Sequence, residues 1–308
     1  MASTRGALRR RAFGHHDQVK ALILGSSGQV AHALKASATH VQASALGRPD
    51  IDLANADSVR AAIAAHRPDI VINAAAYTAV DKAESEADAA FALNRDGPAA
   101  AAKAAYEMGA AFLHLSTDFV FDGSKKGAWR EDDVTNPLGV YGQSKLEGEQ
   151  AVLSAHPNAV TVRLSWVYGA HGANFAKTML RLAADRDEIG VVDDQRGRPT
   201  AAEDIAPALW ALARGLVAMG KSPHQLYHLG PQGDASWADF AAAIMEASQK
   251  VGGPSALIKR ISTADYPTPA KRPANSVLDC ARIEQDWGIA LPHWEASCEQ
   301  VVAEIVRG

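Results

Sequence analysis

Residues 21–31 read ALILGSSGQVA, and this stretch decides the fold. Ala21 to Leu24 form a short apolar run that passes into Gly25-Ser-Ser-Gly28 and then into a helix-compatible segment, Gln29 to Ser37. A strand that turns on glycines into a helix lets backbone come close to a pyrophosphate, while the helix N-terminus presents N–H groups and the positive end of its dipole. Gly25 and Gly28 are candidate contacts on that ground. The third position is Ala31, still small enough for close helix–strand packing. Two glycines in a turn also suit an ordinary βα connection; what favours the nucleotide reading is the position after the first strand of a βαβ series.

The series continues outward. Further apolar runs stand at Val41 to Ala45, Ile70 to Asn73, Ala111 to Leu115 and Ala159 to Leu164. Between them Ala54 to His66, Ser85 to Met108 and Leu138 to Ala155 have helical composition, with His66-Arg67-Pro68 and Met108-Gly109 as stops. Five βα units predict an α/β fold, a Rossmann-like doubly wound parallel sheet over residues 20–165. From residue 166 to 308 the regularity weakens. Helical stretches at Phe175 to Ala184, Ala201 to Met219, Trp237 to Lys250 and Trp294 to Val306 alternate with short strands and Pro-rich loops. This predicts mainly a smaller substrate lobe, some of whose elements return to the first domain, with a ligand cleft between the two.

Composition narrows the function. With 308 residues, 47% hydrophobic and 21% charged, the chain is globular, and its net charge of −4 is a poor match for gripping nucleic acid. Residues 1–19 hold Arg5, Arg9, Arg10 and Arg11 with no acid before Asp17, and read as a disordered extension rather than a signal. Cys280 and Cys298 stand far apart and near no histidine at ligand spacing, which removes a disulfide scaffold and a zinc site and favours the cytoplasm. The most apolar long stretch, Ile205 to Met219, is broken by Arg214 and too short to span a bilayer, so no membrane association is expected.

Three further features carry chemistry. About twenty residues after Gly28 the second strand ends Ser44-Ala-Leu-Gly-Arg48 with no carboxylate, which favours NADPH over NADH if Arg48 forks a phosphate; the alternative is a solvated loop residue. Tyr141 and Lys145 stand four apart at the start of a helix, so phenol and ammonium share a face, and a neighbouring cation brings a reluctant phenol toward a useful pKa. Ser116-Thr117-Asp118 end the fourth strand at the sheet edge where active-site groups collect. Alone, Thr117 reads as an end-of-strand cap; with Tyr141 and Lys145 present it reads as a hydroxyl aimed at a substrate oxygen.

From Ala21 onward the chain resembles the dTDP-4-dehydrorhamnose reductases, an extended branch of the short-chain dehydrogenase/reductases. The matching strings are PDIVINAAAYTAVDKAES (68–85), STDFVFDG (116–123), YGQSKLEGE (141–149), RLSWVYG (163–169), NFAKTML (174–180), DQRGRPT (194–200) and YPTPAKRPANS (266–276). The resemblance implies reduction of a 4-keto nucleotide sugar to dTDP-L-rhamnose with NADPH or NADH. It implies that Gly28, Gln29 and Val30 hold pyrophosphate, that Asp52 and Leu53 contact adenine, and that Ala76, Tyr77 and Thr78 follow the cofactor. Tyr141 is then the proton donor, Lys145 binds nicotinamide ribose and lowers the phenol's pKa, Thr117 and Asp118 touch the sugar, and Trp166 lies against the substrate. Arg198 and Arg272 are the arginines suited to a diphosphate. Bland readings stand beside these: Asp52 as a helix cap, Tyr77 as core, Trp166 as seam filler, and the two arginines as surface.

Two departures stand out. Phe119 replaces the tyrosine that usually follows Thr-Asp, and Gln29 to Ser37 lacks the glutamate through which some members form magnesium-bridged homodimers, so neither magnesium nor that dimer is supported. Phe119 also disfavours a sugar-nucleotide dehydratase, which has glutamate there. A 4-epimerase and a non-catalytic regulatory subunit, of the type that partners methionine adenosyltransferase, are the remaining alternatives. Intact Thr117, Tyr141 and Lys145 weigh against the second.

Overall fold

The computed structural model describes residues 18–308, so the extension read at the N-terminus lies outside them except for its last two residues; Val19 already begins the first strand. The first half runs β1 (Val19–Leu24), α1 (Gln29–Ala36), β2 (Val41–Leu46), α2 (Ala56–His66), β3 (Ile70–Asn73), then two short helices, α3 (Val80–Ala83) and α4 (Ala87–Phe91). A π-helical turn, Ala92–Asp96, leads into α5 (Gly97–Glu107), β4 (Ala111–Thr117), α6 (Val140–Ala155) and β5 (Val160–Leu164). The second half supplies β6 (Val167–Tyr168), α7 (Phe175–Ala183), β7 (Glu188–Val192), β8 (Arg196–Gly197), β9 (Thr200–Ala201) and α8 (Ala202–Met219). It closes with β10 (Leu226–His228), β11 (Ala235–Ser236), α9 (Trp237–Lys250), β12 (Leu257–Ile261), α10 (Ala281–Trp287) and α11 (Trp294–Arg307).

Six strands form one parallel sheet in the order β10-β5-β4-β3-β1-β2. The central strands β1 and β3 are largely apolar because helices cover both faces. On one face Leu22, Leu24, Val71 and Phe112 pack with Val59 and Ile63 of α2 and the small side chains of α5. On the other, Ile23, Ile70, Ile72 and Leu113 pack with Leu34 of α1 and Ile205, Leu209 and Trp210 of α8. α8 and β10 therefore belong to the sheet although they lie beyond Trp166. α10 also packs on the sheet side through Ile283, whereas α7, α9 and α11 build a separate core with Tyr168, Phe240, Ile244 and Val302. The order reverses direction between β1 and β3, which opens a crevice at their C-terminal ends. Among the described residues no helix is long and apolar enough to cross a membrane.

Candidate active site

Thr117 ends β4, where its hydroxyl accepts the N–H of Phe119 (3.2 Å) and donates to Asp118 Oδ1 (2.9 Å). Both Thr117 and Asp118 are buried, and among the described residues Asp118 Oδ2 has no hydrogen-bond partner. The first turn of α6 is seated directly on the segment that follows: a Cβ on Gly142 would lie 2.2 Å from the Phe119 carbonyl oxygen, so only glycine allows this approach. That seating brings the Tyr141 ring edge-to-face with Phe119, centroids 5.5 Å apart, and its hydroxyl against that of Thr117. One turn deeper, Lys145 is buried and donates from Nζ to the Leu115 carbonyl at 2.6 Å. Another turn on, Glu149 is gripped by both arms of Arg163 (2.8 and 2.7 Å) and accepts the Ser116 hydroxyl. Buried charges persist when paired in this way.

Burial pushes the Tyr141 phenol up to about 12, with the Asp118 charge adding to the effect and the Thr117 hydroxyl opposing it. Lys145, which the resemblance assigns to lowering this phenol, does not enter that balance. Its ammonium is engaged by Leu115 O, and loss of solvent governs the phenol. Tyr141 therefore keeps its proton at neutral pH, the state a proton donor requires. Burial lowers Lys145 itself to about 8, against the Glu149 charge, and lifts Asp118 to about 6, against the hydroxyls of Ser276 and Thr117.

The candidate cofactor side is the glycine turn. Gly25 has φ of 105°, in the region that favours glycine, and a Cβ there would come within 3.1 Å of Ala75 N. α1 begins at Gln29 behind Gly28, with no side-chain cap and no acid in its first turn. The Gln29 side chain is occupied instead by Val167 O and Asn174 Nδ2, a link to the second half of the chain. An uncapped helix start of this kind, at the sheet's switch point, fits a dinucleotide's pyrophosphate. At the end of β2 the exposed Arg48 guanidinium binds Asp52 Oδ1 at 3.0 Å and holds that carboxyl below its usual range. Leu53 is core, so of the proposed adenine pair only Asp52 keeps its side chain out of the interior.

Ala76, Tyr77 and Thr78 follow β3 along the crevice. The Tyr77 hydroxyl donates to Glu86 at 2.5 Å, which pushes it up to about 12. Its backbone is clamped by Asn94, which accepts the Tyr77 N–H (2.8 Å) and donates to Tyr77 O (3.1 Å). Asn94 also donates to Ser144 Oγ (2.9 Å), whose hydroxyl binds Tyr141 O, so one buried amide ties the loop after β3 to the start of α6. Sequence reading missed Asn94 because it lies in the π turn, inside what reads as one alanine-rich helix; π turns recur at functional sites.

On the substrate side Trp166, at φ of 47°, stacks on Trp237 (3.6 Å between centroids, 7° between planes) and packs against Gly197. Trp237 borders a cavity of about 380 Å³ shared by Phe175, Gln195, Tyr266 and Arg272. Arg272 is held there by Asp81 at 2.9 Å. Arg198 does not join it: its guanidinium binds Pro231 O (3.1 Å) and faces Cys280 on a separate pocket. Among the described residues no cluster of three or more His, Cys, Asp or Glu could hold a metal ion.

The comparisons with known proteins agree with one another. The family model described as RmlD substrate binding domain matches residues 19–307. A dTDP-4-dehydrorhamnose reductase of Sinorhizobium fredii is 49% identical over 282 residues, covering 91% of this chain and 95% of that protein. Among solved structures, a dTDP-4-dehydrorhamnose reductase of Clostridium acetobutylicum is 35% identical with a TM-score of 0.85, covering 92% of this chain and 98% of that one. The Bacillus anthracis enzyme of the same name, solved in complex with NADP, is 31% identical with a TM-score of 0.86 over 94% and 100% of the two chains.

Proposed function

The chain belongs to the RmlD family of dTDP-4-dehydrorhamnose reductases, and on that premise we propose that it reduces the 4-keto group of dTDP-4-dehydro-L-rhamnose to give dTDP-L-rhamnose, with NADPH or NADH. The observation that carries this reading is the meeting of the Tyr141 and Thr117 hydroxyls at the C-terminal edge of the sheet, beside the crevice that the uncapped α1 adjoins. The nicotinamide, when bound, supplies hydride to the carbonyl carbon.

The chain's own groups handle the oxygen and its proton. Tyr141 donates its proton to the developing alkoxide, and Thr117, turning its one O–H from Asp118 Oδ1 to the substrate, donates a hydrogen bond that fixes the oxygen's approach. Lys145, cationic below about pH 8, stabilises the phenolate left behind. The unpartnered Asp118 Oδ2 accepts from a sugar hydroxyl. Arg272 meets the diphosphate, and the aromatic cavity beside it takes the nucleoside. The compartment on this reading is the cytoplasm. Replacing Tyr141 by Phe removes the proton and keeps the ring: kcat should fall by about 10² to 10⁴ with NADPH affinity unchanged. Near-full turnover in Tyr141→Phe would remove the assignment.

A further inference from the structure

The helix that carries Tyr141 and Lys145 starts without a cap of its own. Its N-cap residue is Gly139, and its first turn contains no acid. The N–H of Val140, the first helical residue, is satisfied from another element: Glu84, just after α3, accepts it on Oε1 at 2.9 Å. The approach is close enough that a Cβ on Gly139 would lie 2.5 Å from that oxygen. Glu84 is exposed, so neither packing nor burial accounts for its place.

Its neighbours show what this turn does. Asp81 binds the N–H of Ala270 and the Arg272 guanidinium, on the Pro-rich strap that borders the substrate cavity. Glu86 holds the Tyr77 hydroxyl beside the cofactor crevice. Residues 81–86 thus touch the cofactor loop, the substrate strap and, through Glu84, the start of the catalytic helix.

We propose that Glu84 is a positioning residue for Tyr141, capping α6 from outside the helix and fixing the first turn from which the phenol reaches Thr117. This deepens the reductase reading and rests on it. Tyr141 is the next residue after the capped amide, so a frayed first turn displaces the hydroxyl directly. Lys145 lies a turn deeper and is anchored on Leu115 O, so it keeps its place. Loss of the cap should therefore harm the chemical step and spare binding, since small misplacements of a reacting group are costly in rate.

Two variants and two readouts test this. Glu84→Ala removes the acceptor, whereas Glu84→Gln keeps an acceptor oxygen without the charge. In the ligand-free protein Glu84→Ala should raise amide exchange across residues 140–144 about tenfold, and Glu84→Gln by less than about threefold. In turnover Glu84→Ala should lower kcat about tenfold or more with both KM values within about twofold, and Glu84→Gln should restore most of that loss. Unchanged exchange, unchanged kcat, or equal kcat losses in the two variants would overturn the proposal. If the wild-type chain does not reduce the keto sugar at all, it is the reductase reading that falls, and amide exchange alone decides the role of Glu84.

Discussion

α1 and α6 begin in the same way and are put to opposite uses. Both have a glycine N-cap in extended backbone, neither has a capping side chain of its own, and neither carries an acid in its first turn. At α6 a carboxylate from outside the helix, Glu84, fills the gap. At α1 no side chain caps the first turn, and the helix start adjoins the crevice between β1 and β3. A helix start satisfied by protein is a fixture for the residues behind it; one left without a cap is a seat for an anion.

The contrast can be broken deliberately. Gly28 has an extended backbone, and a Cβ added to it would meet nothing within 4 Å, so Gly28→Asp adds a carboxylate at the α1 start without a clash at Cβ. Its charge competes with pyrophosphate, and the Kd for NADPH should rise about tenfold to thirtyfold while folding is retained. Tight NADPH binding in Gly28→Asp would show that α1 is not the seat. The next effect sharpens the cofactor side. Arg48→Ala should raise the KM for NADPH about fivefold and leave that for NADH unchanged, the scale of one exposed ionic contact; an unchanged NADPH preference would make Arg48 a loop residue and nothing more. The smallest effect belongs to the α6 side. Lys145 loses its proton at about 8 while Tyr141 keeps its own to about 12, so kcat for reduction should halve near pH 8 on the alkaline side. A flat profile to about pH 10, well past the point at which the ammonium is lost, would contradict a role for it.

How far the sequence showed these features depended on how local each one is. The five strands of the first half were legible because parallel strands covered on both faces are rich in apolar residues, as Ile70 to Ile72 are. β10 was not, because three residues, Leu226 to His228, carry no period, and their strand character comes from pairing with β5. Ser85 to Met108 reads as one helix, and composition gives no sign of the π turn that aims Asn94 at Tyr77 and Ser144. Tyr141, Lys145 and Thr117 were legible from spacing and from the strand end. Glu84 was hidden because a cap supplied from 56 residues away leaves no mark near the helix it caps. Arg198 and Arg272 sit in similar Pro-flanked strings, and only tertiary contacts separate the one bound to Pro231 O from the one beside the aromatic cavity.

The central claim is that a protonated phenol on α6 and a dinucleotide seated at α1 act on one ketone. The most direct measurement supplies enzymatically prepared dTDP-4-dehydro-L-rhamnose with NADPH, follows the loss of reduced-nicotinamide absorbance, and identifies the product by NMR. The account predicts one NADPH consumed for each dTDP-L-rhamnose formed. A purified protein that carries stoichiometric NAD, consumes no NADPH and only interconverts epimers at C4 would contradict it.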